Sequence, residues 1–271
     1  MSIVEKMPVL FIGHGSPMNL IEDNPWTKDW EAMAKKIPTP KAILMISAHW
    51  YTNKTLLQVD EAPSMIYDMY GFPNPIYELQ YLAHTSKELI GRVNDLLGHK
   101  VALQSDRGYD HGAYAPLLKM FPEAQIPVVQ LSVNYKVDAR EWFALGQLLS
   151  PLRDEGVLII GSGDIVHNLR LIDPNLGNTP LPAAETFEET LLRKLDPAKE
   201  NDLVGALHWE QIPGAQVAAQ HPDHLAPLFY CLGAVLGAGN PQELSLASYD
   251  MSAHDYVWGS LSMTSLSWGL K

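Results

Sequence analysis

With 271 residues, 46% of them hydrophobic and 18% charged, the chain has a globular balance and room for one large α/β domain or two small ones. A formal net charge of −12 and a pI near 5.2 argue against nucleic acid or an anionic membrane as partner. The single cysteine, Cys231, excludes an intrachain disulfide and a thiolate metal cluster, and no run of roughly 18 apolar residues suggests a membrane span.

The opening "MSIVEKMPVL" lacks the basic start and long apolar core of a signal peptide, so a cytoplasmic protein is expected. The first strand, "VLFIG" (9–13), ends abruptly in Gly13-His14-Gly15-Ser16. A helix over 24–37 follows, with Asn24 as a cap and proline at its first position. "AILMIS" (42–47) is the second strand, and His49 comes after it. The proline-rich stretch 71–81 reads as a long ordered loop. An amphipathic helix is expected over 83–98. Residues 108–121 carry Asp110, His111 and then a helix-like run. "PVVQLS" (127–132) is a strand. The helix over 138–156 starts at Asp138 as N-cap and should end or kink at Pro151. "VLIIGSG" (157–163) is a strand that runs on to His167. A helix over 182–195 and a buried helix within 220–239 complete the pattern.

Short, continuously apolar runs suit strands covered on both faces, and their alternation with helices predicts a single-domain α/β/α sandwich around a largely parallel or mixed sheet. No internal repeat or low-complexity linker divides the chain. His14, His49 and His167 each follow a different strand. In open α/β sheets such residues meet at the carboxyl ends of the strands, where sites form. Glycines 13, 15, 161 and 163 would let backbone and ligand approach closely. Imidazole is a common zinc and iron ligand, so His14 and His49 are expected to bind a metal. For the third ligand, His224 in the first turn of the last helix is favoured over His221, which Pro222 pushes toward an extended conformation. His111 reads either as a group facing the substrate or supporting the site, or as a plain loop histidine. His84, His99, His208 and His254 have no such context. Trp50, Tyr51, Tyr109 and Tyr114 could wall an aromatic pocket.

Taken in order, "GHGSP", "ISAHW", "DHGAYAPL", "GSGDIVHNL" and "HPDHLAPL" resemble class III extradiol ring-cleavage dioxygenases, and more narrowly the DOPA 4,5-dioxygenase type. The resemblance runs from residue 8 to about 240. It implies one divalent metal ion, Zn2+ or Fe2+, on His14, His49 and His224. It also implies His167 as catalytic acid/base, with His111 near the substrate. The implied substrates are a catechol such as L-DOPA and O2, with cleavage at the 4,5 bond giving a semialdehyde that can cyclise to betalamic acid. Better-known members complete the metal site with a carboxylate; here the matching region offers histidine, with Asp223 beside it. Lys119 and Arg107 are candidates to hold an amino acid's carboxylate. A tetrapyrrole metal chelatase, a zinc hydrolase and a non-catalytic metal-binding protein are the alternatives. A monomer or small homo-oligomer is expected.

Overall fold

The computed structural model describes residues 6–271, so the first half of the stretch judged to lack a signal peptide lies outside the described residues. In chain order the elements are β1 (Val9–Gly13), α1 (Pro25–Ala34), β2 (Ala42–Thr52), β3 (Leu56–Gln58), α2 (Asn74–Glu78), α3 (Lys87–Leu97), β4 (Ala102–Gln104), α4 (His111–Met120), β5 (Val128–Asn134) and α5 (Ala139–Leu149). There follow β6 (Val157–Gly163), α6 (Pro182–Leu195), α7 (Leu203–Leu207), α8 (Ala215–Ala218), α9 (Ala226–Leu236), β7 (Asp250–Ser252), β8 (Tyr256–Val257), β9 (Leu261–Ser262) and β10 (Ser265–Trp268).

An eight-stranded sheet in the order β4-β3-β5-β2-β6-β1-β10-β7 forms the middle layer. Its centre, β5-β2-β6-β1, is parallel, whereas β3 meets β5 and β10 meets β1 in antiparallel fashion. The sheet is therefore mixed. Successive side chains alternate between two cores, as the period-two geometry of a strand requires. Phe11, Leu44, Ile46 and Ile159 face a layer built from α3, α5, α6 and α9. Leu10, Ile43, Met45 and Ile160 face α1 and α4 on the other side. Both faces are dry, which is why these strands read as unbroken apolar runs.

Local chemistry sets the helix ends. Asn24 and Thr27 form a reciprocal capping box at the start of α1, and Asp138 accepts from the backbone N–H groups of Arg140 and Glu141 to start α5. Pro151 does end that helix, in a 3-10 turn over Ser150–Arg153. The helix expected over 83–98 begins later, because Ser86 is its cap. The loop expected over 71–81 contains α2, a single short helix. Among the described residues no helix is long and apolar enough to cross a membrane.

Two differences from the expected elements shape the site. Strand β2 continues past 47 to Thr52, so His49 lies within the strand and not after it. Ile46 pairs with Leu131 but Tyr51 pairs with Val133, so β2 carries extra residues there, a bulge of the kind that re-aims side chains. Helix α9 starts only at Ala226, so His224 sits in the preceding turn and not in the helix. Its backbone carbonyl accepts from the Asp164 N–H at 3.0 Å, which ties that turn to the end of β6.

Candidate metal centre

The carboxyl ends of the parallel strands bring the histidines together. β1 and β6 are in register at Gly13 and Gly163, and the His14 N–H donates to the Gly163 carbonyl at 3.1 Å. A Cβ at Gly163 would stand 2.0 Å from the backbone oxygen of His224. The missing side chain is what lets the His224 turn close onto β6. Gly15, at φ +56°, turns the chain after His14 and donates its N–H to Asp164 Oδ1 at 3.1 Å.

His14, His49 and His224 each present a ring nitrogen to a common space, all within 4.8 Å of one another. His14 Nε2 and His49 Nε2 are 3.1 Å apart. Ligands about 2.0–2.1 Å from a tetrahedral metal stand roughly 3.3 Å from each other, so this spacing fits a shared ion. The far nitrogens decide the tautomers. Ser162 Oγ donates its one hydrogen to the Gly112 carbonyl at 2.5 Å, so it can only accept from His14 Nδ1 at 3.0 Å. That leaves the His14 Nε2 lone pair facing the centre. His49 Nδ1 lies 3.1 Å from Asp68 Oδ2, which frees His49 Nε2 in the same way. His224 is buried with neither ring nitrogen hydrogen-bonded; Asp223 Oδ2 is 3.1 Å from Nδ1 but poorly aligned. An orphaned buried imidazole is costly unless something else takes its lone pair. These residues fit one divalent ion.

Burial first, and then the other histidines, hold His14 well below the usual imidazole range. Burial likewise lowers His224 and His111. Burial opposes the charged form of His49 too, but its hydrogen bond to Asp68, with Asp110 and Asp223 nearby, raises it overall. Neutral imidazole is the form that ligates.

His111 is the first residue of α4, not a loop residue. Asp110 caps that helix through the Ala113 N–H, accepts from Ser47 Oγ at 2.6 Å and pairs with Arg107. The His111 ring centroid is 4.0 Å from that of His49. His167 is half-buried and stacks on His224, with centroids 3.5 Å apart and planes 5° apart. Burial, followed by the His224 charge, brings His167 down to about 2. His221 is exposed and belongs to none of the ligand clusters among the described residues.

Other expectations change. Tyr109 is a core residue whose hydroxyl lies 3.1 and 2.9 Å from the carbonyls of Ala83 and Val128. Trp50 is buried under the Arg107 guanidinium, which is itself committed to Asp110. Arg107 is therefore not free to hold a substrate. Lys119 sits at the opposite end of α4 from His111, bonded to the Glu22 carbonyl. Three participants were not anticipated. Asp68 lies in "SMIYDMYG", which carries no motif; Ser162 lies inside an apolar strand run; Asp164, buried beside His167 and His224, is pushed well up by burial. Tyr67, next to Asp68, packs against Tyr77 and Tyr114 and brings aromatic surface that the strand-end pattern did not indicate.

Fold and site together define an α/β enzyme with a histidine centre able to hold a metal ion. The chain belongs to the family of the catalytic LigB subunit of aromatic ring-opening dioxygenase, which it matches over residues 8–259, and it is an oxygenase of the extradiol type. It is 39% identical to the 4,5-DOPA dioxygenase extradiol of Escherichia coli K12, over 97% of this chain and 95% of that one. Identity to the protein of the same description from Beta vulgaris is 40%, over 94% of this chain and 96% of the relative. A crystal structure of an uncharacterized protein from Escherichia coli K12 superposes with a TM-score of 0.79 at 36% identity, covering 97% of this chain and 99% of that one. Membership in this family displaces the chelatase, hydrolase and storage alternatives.

Proposed function

We propose that the chain acts as one catalytic domain that binds a divalent ion, Zn2+ or Fe2+, on His14, His49 and His224 and cleaves a catechol such as L-DOPA at the 4,5 bond with O2. The product would be a semialdehyde able to cyclise to betalamic acid. The relatives described as 4,5-DOPA dioxygenases support the substrate class. The observation that carries the metal reading is the convergence of three imidazoles whose outward nitrogens are fixed by Ser162 and Asp68 or left orphaned. The enzyme would work in the cytoplasm as a monomer or small homo-oligomer.

Held by His14, His49 and His224, the ion would supply Lewis-acid chemistry toward the catechol and O2. The chain's own residues do the rest. His167, held neutral by burial, is free to accept a catechol proton on an imidazole nitrogen and return it as the ring opens. The negative charge that a catecholate brings raises the proton affinity of His167 at that moment. His111 presents a second imidazole beside His49 for orienting the ring hydroxyls. Burial of His14, His111 and His224 keeps bulk water away from the reacting atoms.

The test is a catechol panel under air with metal-loaded enzyme, products identified by mass. L-DOPA should give a yellow extradiol semialdehyde. Cleavage between the hydroxyls, or no oxygen uptake with any catechol and either Fe(II) or Zn(II), contradicts the proposal.

A further inference from the structure

One carboxylate outside the strand-end motifs touches two of the histidines at once. Asp68 Oδ2 is 3.1 Å from His49 Nδ1, and Oδ1 is 3.0 Å from both His111 Nδ1 and the His111 backbone N–H. The two rings it joins belong to different elements, the β2 bulge and the first turn of α4, with centroids 4.0 Å apart. Asp68 itself arrives on a third segment. That segment is pinned two residues upstream, where the Ile66 N–H donates to the Tyr109 carbonyl at 2.7 Å and the Tyr109 N–H donates to the Ser64 carbonyl at 2.8 Å.

A carboxylate accepts hydrogen bonds and donates none. Imidazoles placed on both of its oxygens must therefore each turn a hydrogen toward it. We propose that Asp68 is a positioning residue that locks both His49 and His111 as Nδ1–H tautomers, so that both Nε2 atoms stay unprotonated and face the centre. For His49 this sets the ligating nitrogen, since its Nε2 is the atom 3.1 Å from His14 Nε2. For His111 it makes Nε2 an acceptor toward a substrate hydroxyl and not a donor. The two roles are linked through one side chain, and the consequence for metal binding rests on the metal site proposed above.

Asp68→Asn separates this inference from a generic ion pair. An amide has one accepting oxygen and one donating NH2 group in place of two acceptors. Either His49 or His111 must then give up its Nδ1–H tautomer. If His49 changes, a proton occupies its ligating nitrogen; if His111 changes, metal binding survives but its free nitrogen becomes a donor.

The experiment combines zinc titration against a chromophoric chelator with long-range 1H–15N NMR of the histidine rings. In the wild-type protein both His49 and His111 should give the Nδ1–H pattern, a readout that needs no variant and no turnover. Asp68→Asn should show an Nε2–H pattern at one of the two rings, with zinc affinity lower by about 10–100-fold if that ring is His49, the usual effect of losing an outer partner of a ligand. An Nε2–H tautomer at either ring in the wild type overturns the inference, even if the variant does not fold. So does an Asp68→Asn protein with unchanged tautomers and zinc affinity within about twofold. His14→Ala is the control for the metal site: if it binds zinc as the wild type does, the ligand assignment fails, while the wild-type tautomers still decide the role of Asp68.

Discussion

The hydroxyl of Ser162 shows how one atom sets the chemistry of another. Its hydrogen is committed to the Gly112 carbonyl, so its oxygen receives His14 Nδ1–H and turns the lone pair of Nε2 inward. Ser162→Ala should lower metal affinity by about 10–100-fold with the fold intact, measured by competition with a chelator. His167→Ala should keep its metal and lose turnover by ~10²–10⁴, the usual contribution of a positioned acid/base group. A loss of metal in that variant, read by elemental analysis, would make His167 a ligand instead. His14 and His167 were legible in the sequence because each follows a recognisable apolar run, whereas His49, expected after its strand, lies within it, and His111 and His224 stand at or just before helix starts. Asp68 was not legible, because it reaches the centre from a segment with no periodicity. Nor was the commitment of Arg107 to Asp110, since side-chain pairing across a helix start leaves no pattern along the chain.

At the scale of elements, β1, β2, β5 and β6 were readable because both faces of each are buried, which makes hydrophobicity continuous. The short outer strands β3, β4, β7 and β10 were not. They are three or four residues long, and their pairings, parallel between β3 and β4 and antiparallel for β3 with β5, β7 with β10 and β10 with β1, depend on partners elsewhere in the chain. The β2 bulge was hidden for the same reason, since register belongs to a pair of strands. Helix starts were marked by capping chemistry, which gives a direct test. Asp138→Ala should destabilise the protein by about 0.5–2 kcal/mol at neutral pH in denaturant unfolding. The ion pair with Arg140 holds Asp138 below the ordinary aspartate value of 3.8. Its contribution is therefore complete above pH 3.8 and lost as pH falls through the depressed value, so the gap between wild type and variant should close in acid. Gly163→Ala probes the β6 end differently. The added Cβ meets the His224 carbonyl at 2.0 Å, so the turn must move, with a destabilisation of roughly 1–3 kcal/mol and loss of stoichiometric metal.

Across the whole molecule, the sheet gathers residues from four distant stretches, near 14, 49, 111 and 224, into one buried cluster within an acidic protein. The overall class, an α/β/α sandwich, followed from the alternation of strands and helices. The mixed order of its edges is settled by packing of the C-terminal segment, through the antiparallel pairing of β10 with β1, which no local pattern announces. In the proposed reaction this cluster directs both atoms of O2 into a catechol ring at a bond outside the two hydroxyls. That reaction is tested most directly by reconstituting the enzyme with Fe(II) without air, adding L-DOPA and 18O2, and weighing the product. An extradiol semialdehyde with 18O in its carboxylate, and a second 18O in its aldehyde when trapped before exchange with water, is the predicted result; a product with no label in the carboxylate, or one opened between the hydroxyls, would contradict it.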